Sequence, residues 1–412
     1  MPKEEIITGL DLGSTAVRIV VGQLTEGRLH IIGAAEVPAE GVSKGVVTSI
    51  EDATASIANC LDRATKMIGM PIEQAFVGIS GSHIICQESR GVVAVSKTDG
   101  EIKEEDVERA IEAARTVTTP ANYDILHVIP KSFTVDGQKG IKDPIGMTGI
   151  RLEVDAQIIL GLSSQIKNLT KSVYQTGLDI EDLVLSVLAT AEAVVTNRQK
   201  ELGVVVVNMG GATTSIVVFE EGDVVHTAVL PVGSEHITSD IAICLRISID
   251  AAERIKLEHG SANPKDLSKR DEIDLREFSE TESGLVSKKN IAEIVEARVE
   301  EIFEKVDREL TKVGRSGLLP AGAVLTGGGA KLPAITEIAK KKLRLPASLG
   351  YPLNLSSVVD KVHDLSFATA LGLILWGEEA RSGEGRRSGV GNWLSIGKSI
   401  ARMKKWFKSL IS

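Results

Sequence analysis

An α/β fold of two related lobes is written into this chain by a repeated glycine turn, the strand spacing around it, and the polar residue at its head. Ile7-Thr8-Gly9-Leu10-Asp11-Leu12-Gly13-Ser14-Thr15 opens the protein, and Val205-Val206-Val207-Asn208-Met209-Gly210-Gly211-Ala212-Thr213-Thr214 recurs near its middle. Each copy is an apolar run, a small polar turn and a second apolar run, then a charged turn and a third strand-like segment over 29–37 or 224–232. Short apolar runs bounded by turn residues are strand signals. A three-strand meander written twice, with Asp11 and Asn208 in matching places, implies two lobes facing one another. Turn amides bind phosphate best where no side chain intervenes, so the guest expected between the lobes is a nucleoside triphosphate.

After the first meander the spacing predicts a helix over 49–68, where Ile50, Ala53, Ile57, Leu61, Ala64 and Ile68 share a stripe. A buried strand follows at 75–79. From 84 to 163 the texture changes to an α+β insertion. It holds a strand at 91–95, a helix at 103–116 with the acidic entry that a helix dipole prefers, and strands at 124–135 and 150–160. Helices are predicted over 163–176 and 183–199, and the second meander over 202–232. One helix then covers 234–258 until Gly260 to Pro264 breaks it. Residues 265–290 are polar and strand-ambiguous, and 290–312 is a strongly amphipathic helix. A strand at 323–326 runs into Gly327-Gly328-Gly329 and a further helix. A small-residue helix over 367–376 ends at Gly377, and 378–391, rich in Gly, Ser, Arg and Glu, reads as a flexible linker.

The bulk properties narrow the function. At 412 residues the chain exceeds one compact core, so about two to four domains are expected. Aromatic residues are only 3%, too few for a base-stacking platform. The net charge of −9 argues against non-specific nucleic-acid binding. Cys60, Cys86 and Cys244 lie far apart with no CxxC, and read as buried thiols in a reducing compartment. No secretory signal or apolar spanning stretch is evident, so a cytoplasmic protein, or one attached to a membrane from that side, is expected. Charge is uneven: residues 381–412 carry +7, leaving −16 for the rest. An acidic body with a basic tail asks for a partner.

In the expected cleft, Gly13, Gly210 and Gly211 supply bare amides, while Ser14, Thr15, Thr213 and Thr214 add hydroxyls. Asp11, at a strand end, suits an outer-shell Mg²⁺ ligand, since a lone carboxylate leaves the ion most of its waters. The alternative is that each turn merely closes a hairpin. Gly327, Gly328 and Gly329 offer flat backbone to a purine or ribose. Glu253 and Lys256, three apart on a helix, face that surface as a clamp or, alternatively, form an exposed ion pair of little energetic weight.

Five stretches (9–15, 188–195, 205–214, 322–334 and 367–376) resemble the phosphate, connecting and adenosine motifs of the actin-like ATPase superfamily, whose core is a duplicated ribonuclease-H-like fold. Within it the chain resembles the FtsA family of bacterial cell-division proteins. Residues 143–152 (DPIGMTGIRL), 231–242 (PVGSEHITSDIA) and 252–256 (AERIK) carry that resemblance over essentially the whole length. It implies subdomain 1A at 1–83 and 164–201, with 1C as the insertion at 84–163. It further implies 2A at 202–264 and 319–366, 2B at 265–318, and a final helix, 367–377, returning to 1A. ATP and Mg²⁺ are the implied cofactors, with Asn208 among the phosphate ligands and Gly233 on the adenosine side. The implied partners are the FtsZ C-terminal tail near Arg298, further copies of the chain in a filament, and later division proteins. The implied place is the cytoplasmic face of the inner membrane at the division site. The second turn departs from the family pattern at Asn208, Ala212 and Ser215, where Asp, Gly and Asp are usual. Losing an acid that helps hold Mg²⁺ or polarise water predicts ATP bound and hydrolysed slowly or not at all. Glu192 on the connecting helix is then the remaining candidate for positioning water.

The tail has its own logic. Trp393, Ile396, Ile400, Met403, Phe407, Leu410 and Ile411 recur at spacings of three and four, with Trp406 at the edge of the stripe. Lys398, Arg402, Lys405 and Lys408 face away from them. A basic amphipathic helix with aromatic residues on its apolar face suits a membrane interface, lysines meeting anionic headgroups. The alternative is docking on the chain's own body or a partner groove. Single tails bind weakly, and polymerisation would multiply them. Other readings are a pilus-assembly ATPase with a similar insertion, which lacks this lipid-binding tail, and a sugar or acid kinase, which needs an Asp base that Asn208 does not supply. A chaperone would need a peptide-binding domain after residue 380.

Overall fold

The computed structural model describes residues 5–381 apart from 26–27, 97–99, 117–119, 269, 280–282, 354–355 and 358. The tail and linker expectations for 382–412 lie outside the described residues. The duplication is present in the sheets. In the first, Glu5–Leu12, Ala16–Thr25 and Arg28–Pro38 form an antiparallel meander, and Gln74–Ile79 and Asp179–Leu185 extend it in parallel beyond the first strand. In the second, Val204–Met209, Thr214–Glu220 and Asp223–Leu230 repeat the meander, extended in parallel by Gly322–Thr326 and Ala347–Leu349. Each first strand is therefore central and apolar-rich, as a strand covered on both faces must be.

Helices Ser186–Val194 and Ala368–Arg381 lie where the lobes meet. Residues of both sheets and both helices share one buried core there, including Val184, Ala189, Val206, Val324 and Leu371. The two helices approach so closely that a Cβ at Gly372 would collide with the Ala189 carbonyl. The first lobe has its own core under Ile50–Ile68, and the second lobe has another. In the second, helix Lys288–Lys312 buries Ile291, Val295, Val299, Ile302, Phe303, Val306 and Leu310. At about 1.5–3 kcal/mol per buried apolar side chain, that face rather than intrinsic propensity holds the helix.

The insertion is a four-stranded antiparallel sheet, Ile85–Ala94, Arg151–Leu162, Tyr123–Val135 and Gln138–Ile141, covered by helix Glu104–Arg115. Its core is separate and includes Ile102, Val107, Phe133, Leu152 and Val154. It leans on the second lobe, where Gln157 Nε2 donates to the Val225 carbonyl at 2.6 Å and Lys142 pairs with Asp223.

Several expectations are corrected. The single helix expected over 183–199 is the end of a strand, then a helix to Val194, then a second helix, Asn197–Leu202. Leu183 to Leu185 pair in parallel with Val77 to Ile79, Val195 is extended, and Thr196 caps the second helix. Its apolar run fits either period, and the neighbouring strand decides. The helix expected over 234–258 breaks at Arg246, which is left-handed (φ 57°), and restarts at Ser248, whose hydroxyl accepts from the Ala251 amide. Gly377 does not end the last helix, which continues to Arg381. A Cβ there would strike Phe76 and Ile7, so glycine serves close packing. Cys60 is buried, but Cys244 is exposed, against the expectation for all three thiols. The strand Gln138–Ile141 and the two-residue hairpin strands Val42–Ser43 and Val46–Val47 carried no periodic signal.

Candidate functional site

Both glycine turns are closed by the same hydrogen bond. Gly13 N–H donates to the Ala16 carbonyl at 3.1 Å, and Gly210 N–H donates to the Thr213 carbonyl at 2.9 Å. In each turn the next two amides, Ser14 and Thr15 or Gly211 and Ala212, donate to no group among the described residues. Unspent amides in a glycine turn form an anion-binding concavity. The two turns also face each other: Thr15 Oγ1 donates to Glu235 Oε1 at 3.0 Å, and Ser80 Oγ lies 3.2 Å from Ser215 Oγ. A Cβ at Gly211 would collide with both the Thr15 hydroxyl and the Glu235 carboxylate.

Asp11 ends its strand between Arg18, opposite in antiparallel register, and Gly78, opposite in parallel register. Burial pushes its carboxyl up to about 6, and the Arg18 charge opposes that shift only in part. Arg18 also donates to Glu36 at 3.1 Å and lies over the Phe367 ring. The Gly45 amide of the small hairpin donates to Ser14 Oγ at 3.0 Å, bracing the first turn. Asn208 spends its amide on Thr190 Oγ1 (3.2 Å) and Thr369 Oγ1 (3.1 Å), one on each inter-lobe helix. It is therefore a polar clasp between lobes.

The third glycine cluster closes the other end. Gly327 has φ +85°, and any Cβ there would strike Asn208 Oδ1 and the Met209 carbonyl. Gly329 packs on Met209 and Ser234, whereas a Cβ on Gly328 would meet only open space. Lys256 Nζ donates to the Ser234 carbonyl (3.3 Å) and Thr238 Oγ1 (2.8 Å) and pairs with Glu253 at 2.7 Å. Glu253 and Lys256 thus stand beside the glycine cluster, with Lys256 largely buried rather than in a solvated surface pair.

Several expected site residues are placed otherwise, Gly13 and Gly210 first, whose amides are spent on closing their own turns and are not bare donors to phosphate. Glu192 lies in the last turn of its helix with both carboxylate oxygens 2.7 Å from Lys200 Nζ, whereas the first turn, at Ser186, is the part near Asp11 and Gly78. Thr214 is fully buried and its hydroxyl donates to the Val232 carbonyl at 2.8 Å, so it is not a cleft donor. Gly233 is buried beneath the second turn, where a Cβ would strike the Gly210 and Gly211 carbonyls. It supports that turn instead of lining the nucleoside side. Arg298, on the long helix, is engaged by Asp240 at 2.6 and 2.7 Å and by Glu301. Sequence reasoning missed Arg18, although a hairpin register centred on the first turn places it opposite Asp11. It also missed Glu235, which no local pattern connects to Thr15. Among the described residues, no group of three or more His, Cys, Asp or Glu is placed to hold a metal, and no helix is long and apolar enough to cross a membrane.

This geometry agrees with the comparisons. The profile of the family described as "Cell division protein FtsA" matches residues 205–372, and that of the "SHS2 domain inserted in FTSA" matches 81–160. The cell division protein FtsA of Pseudomonas aeruginosa is 36% identical over 98% of this chain and 97% of its own length. That of Bacillus subtilis is 38% identical over 94% and 87%. Among solved structures, a PilM–PilN type IV pilus biogenesis complex aligns with TM-score 0.67 at 17% identity, covering 90% of this chain and 98% of the other. MreB5 of Spiroplasma citri bound to ADP aligns with TM-score 0.54 at 13% identity, covering 93% and 100%. These two share the actin-like ATPase fold. With relatives this similar along nearly their whole length, the chain belongs to the FtsA family of cell-division proteins.

Proposed function

We propose that the chain binds ATP between its two glycine turns, polymerises, and tethers FtsZ filaments to the cytoplasmic face of the membrane through residues 392–412. The observation that carries the reading is the pair of identically closed turns, each with two unspent amides, meeting through Thr15 and Glu235. The same fold in an MreB solved with ADP supports a nucleotide in that crevice. Gly327, Gly328, Gly329, Glu253 and Lys256 would hold the nucleoside, and Ser14, Thr15, Gly211, Ala212 and Thr213 the phosphates. A magnesium ion carried by the nucleotide fits Asp11, whose buried charge is costly alone and would be relieved by a cation. Bound, that ion would neutralise phosphate charge. Neither Asn208 nor Glu192 is free to polarise water, so hydrolysis is slow or absent. Robust phosphate release by the pure protein would refute that part.

The insertion and the Lys288–Lys312 region are the proposed 1C and 2B subdomains. The FtsZ C-terminal tail would reach Arg298 by displacing Asp240, and Arg298→Glu should abolish its capture on immobilised peptide. The central test is ATP affinity measured together with filament formation on lipid monolayers. Full-length protein is expected to bind ATP and assemble on lipid, and deletion of 392–412 to retain ATP and lose vesicle co-sedimentation. Continued pelleting of the truncated protein with vesicles would overturn the tethering role.

A further inference from the structure

We propose that Glu235 makes the cleft select magnesium-complexed nucleotide over metal-free nucleotide, by fixing a negative charge between the two phosphate turns. The inference rests on the reading that ATP lies between those turns. Glu235 stands in the first turn of helix Ser234–Leu245. An acid there would ordinarily serve its own helix end. This one reaches across the lobes instead, accepting from the Thr15 hydroxyl at 3.0 Å. Its backbone is fixed by donation from its N–H to the Gly211 carbonyl at 2.8 Å. Its carboxylate also fills the space that a side chain at Gly211 would take. It therefore sits beside Thr15 of one turn and Gly211 of the other, each a residue with an unspent amide.

A polyphosphate entering that gap meets a carboxylate within a few ångströms. Two like charges so close repel, more strongly as water is excluded. A divalent cation travelling with the phosphates relieves that repulsion, because it offsets two of their charges and presents the cation or its bound waters to Glu235. No cluster of three or more metal-binding side chains stands ready among the described residues, so the cation enters with the ligand.

The test measures affinity of the full chain for a fluorescent ATP analogue with excess magnesium and with EDTA. Glu235→Gln should strengthen metal-free binding about tenfold, the scale of one charge pair near a surface, while magnesium-complexed binding changes less than about threefold. Glu235→Ala should match it, and thermal melting without ligand shows that each variant is folded. Thr15→Val, which removes the hydrogen bond and keeps the charge, should retain the magnesium preference. Equal effects of Glu235→Gln on both forms, or none on either, would overturn the role of Glu235, as would loss of the preference in Thr15→Val. If the wild-type chain fails to bind even the magnesium complex, the ATP reading itself falls.

Discussion

At Asp11, function and stability pull in opposite directions. Its folded-state carboxyl sits near 6, above the ordinary value of 3.8, because burial disfavours the charge. A raised acid costs nothing below its unfolded value, costs progressively more as pH rises between the two values, and costs a constant amount above the higher one. Asp11→Asn should therefore stabilise the ligand-free protein at pH 7 by about 1–3 kcal/mol, do little near pH 3.5, and lose magnesium-nucleotide affinity. Thermal melts at both pH values check the sign; a lower melting temperature at pH 7 would count against the assignment. Asn208 behaves oppositely. Its amide satisfies two threonine hydroxyls, so Asn208→Asp removes both donors at a part-buried junction. A cost of about 1–3 kcal/mol is expected, measurable by chemical denaturation.

The elements show why pattern reading succeeded in some places and failed in others. Helix Lys288–Lys312 has one apolar stripe over its whole length, and its bounds were read nearly to the residue. The run from Leu183 onward is apolar all round, so period cannot separate strand from helix, and pairing with Gln74–Ile79 decides. The break at Arg246 was hidden for a different reason: helical spacing continues on both sides of it, and only the left-handed Arg246 (φ 57°) and the Ser248 cap separate the two helices. Ser186–Val194 and Ala368–Arg381 cross at close range, with no room for a Cβ at Gly372. Gly372→Ala should cost at least about 1–3 kcal/mol, measurable by chemical denaturation. A neutral outcome would mean that the joint opens easily.

For the molecule as a whole, the lobes meet at Thr15–Glu235 and Ser80–Ser215 in front, and at Asn208 with its two threonines behind. Separation of the lobes would have to break the front contacts. A Ser80→Cys/Ser215→Cys pair, with exposed Cys244 replaced by Ser, should form a disulfide that slows exchange of bound nucleotide, and reduction should restore it. Unchanged exchange after complete oxidation would show that nucleotide leaves without lobe separation. The insertion contacts the second lobe through Gln157 and Lys142, so the same motion would be felt there.

The repeated meander, the glycine turns and the long amphipathic helix were legible because each is a local pattern of residue types: period, turn chemistry and small size. Which side chains meet across the cleft was not. Glu235 and Thr15 are 220 positions apart, and only the facing of two separately folded sheets brings them together. Glu192 and Thr214 were hidden at shorter range: the helix break at Val195 returns Lys200 to Glu192, and the second meander turns the Thr214 hydroxyl inward to the Val232 carbonyl. Sequence order constrains hydrogen bonds within a turn, whereas partners between lobes depend on how two cores pack.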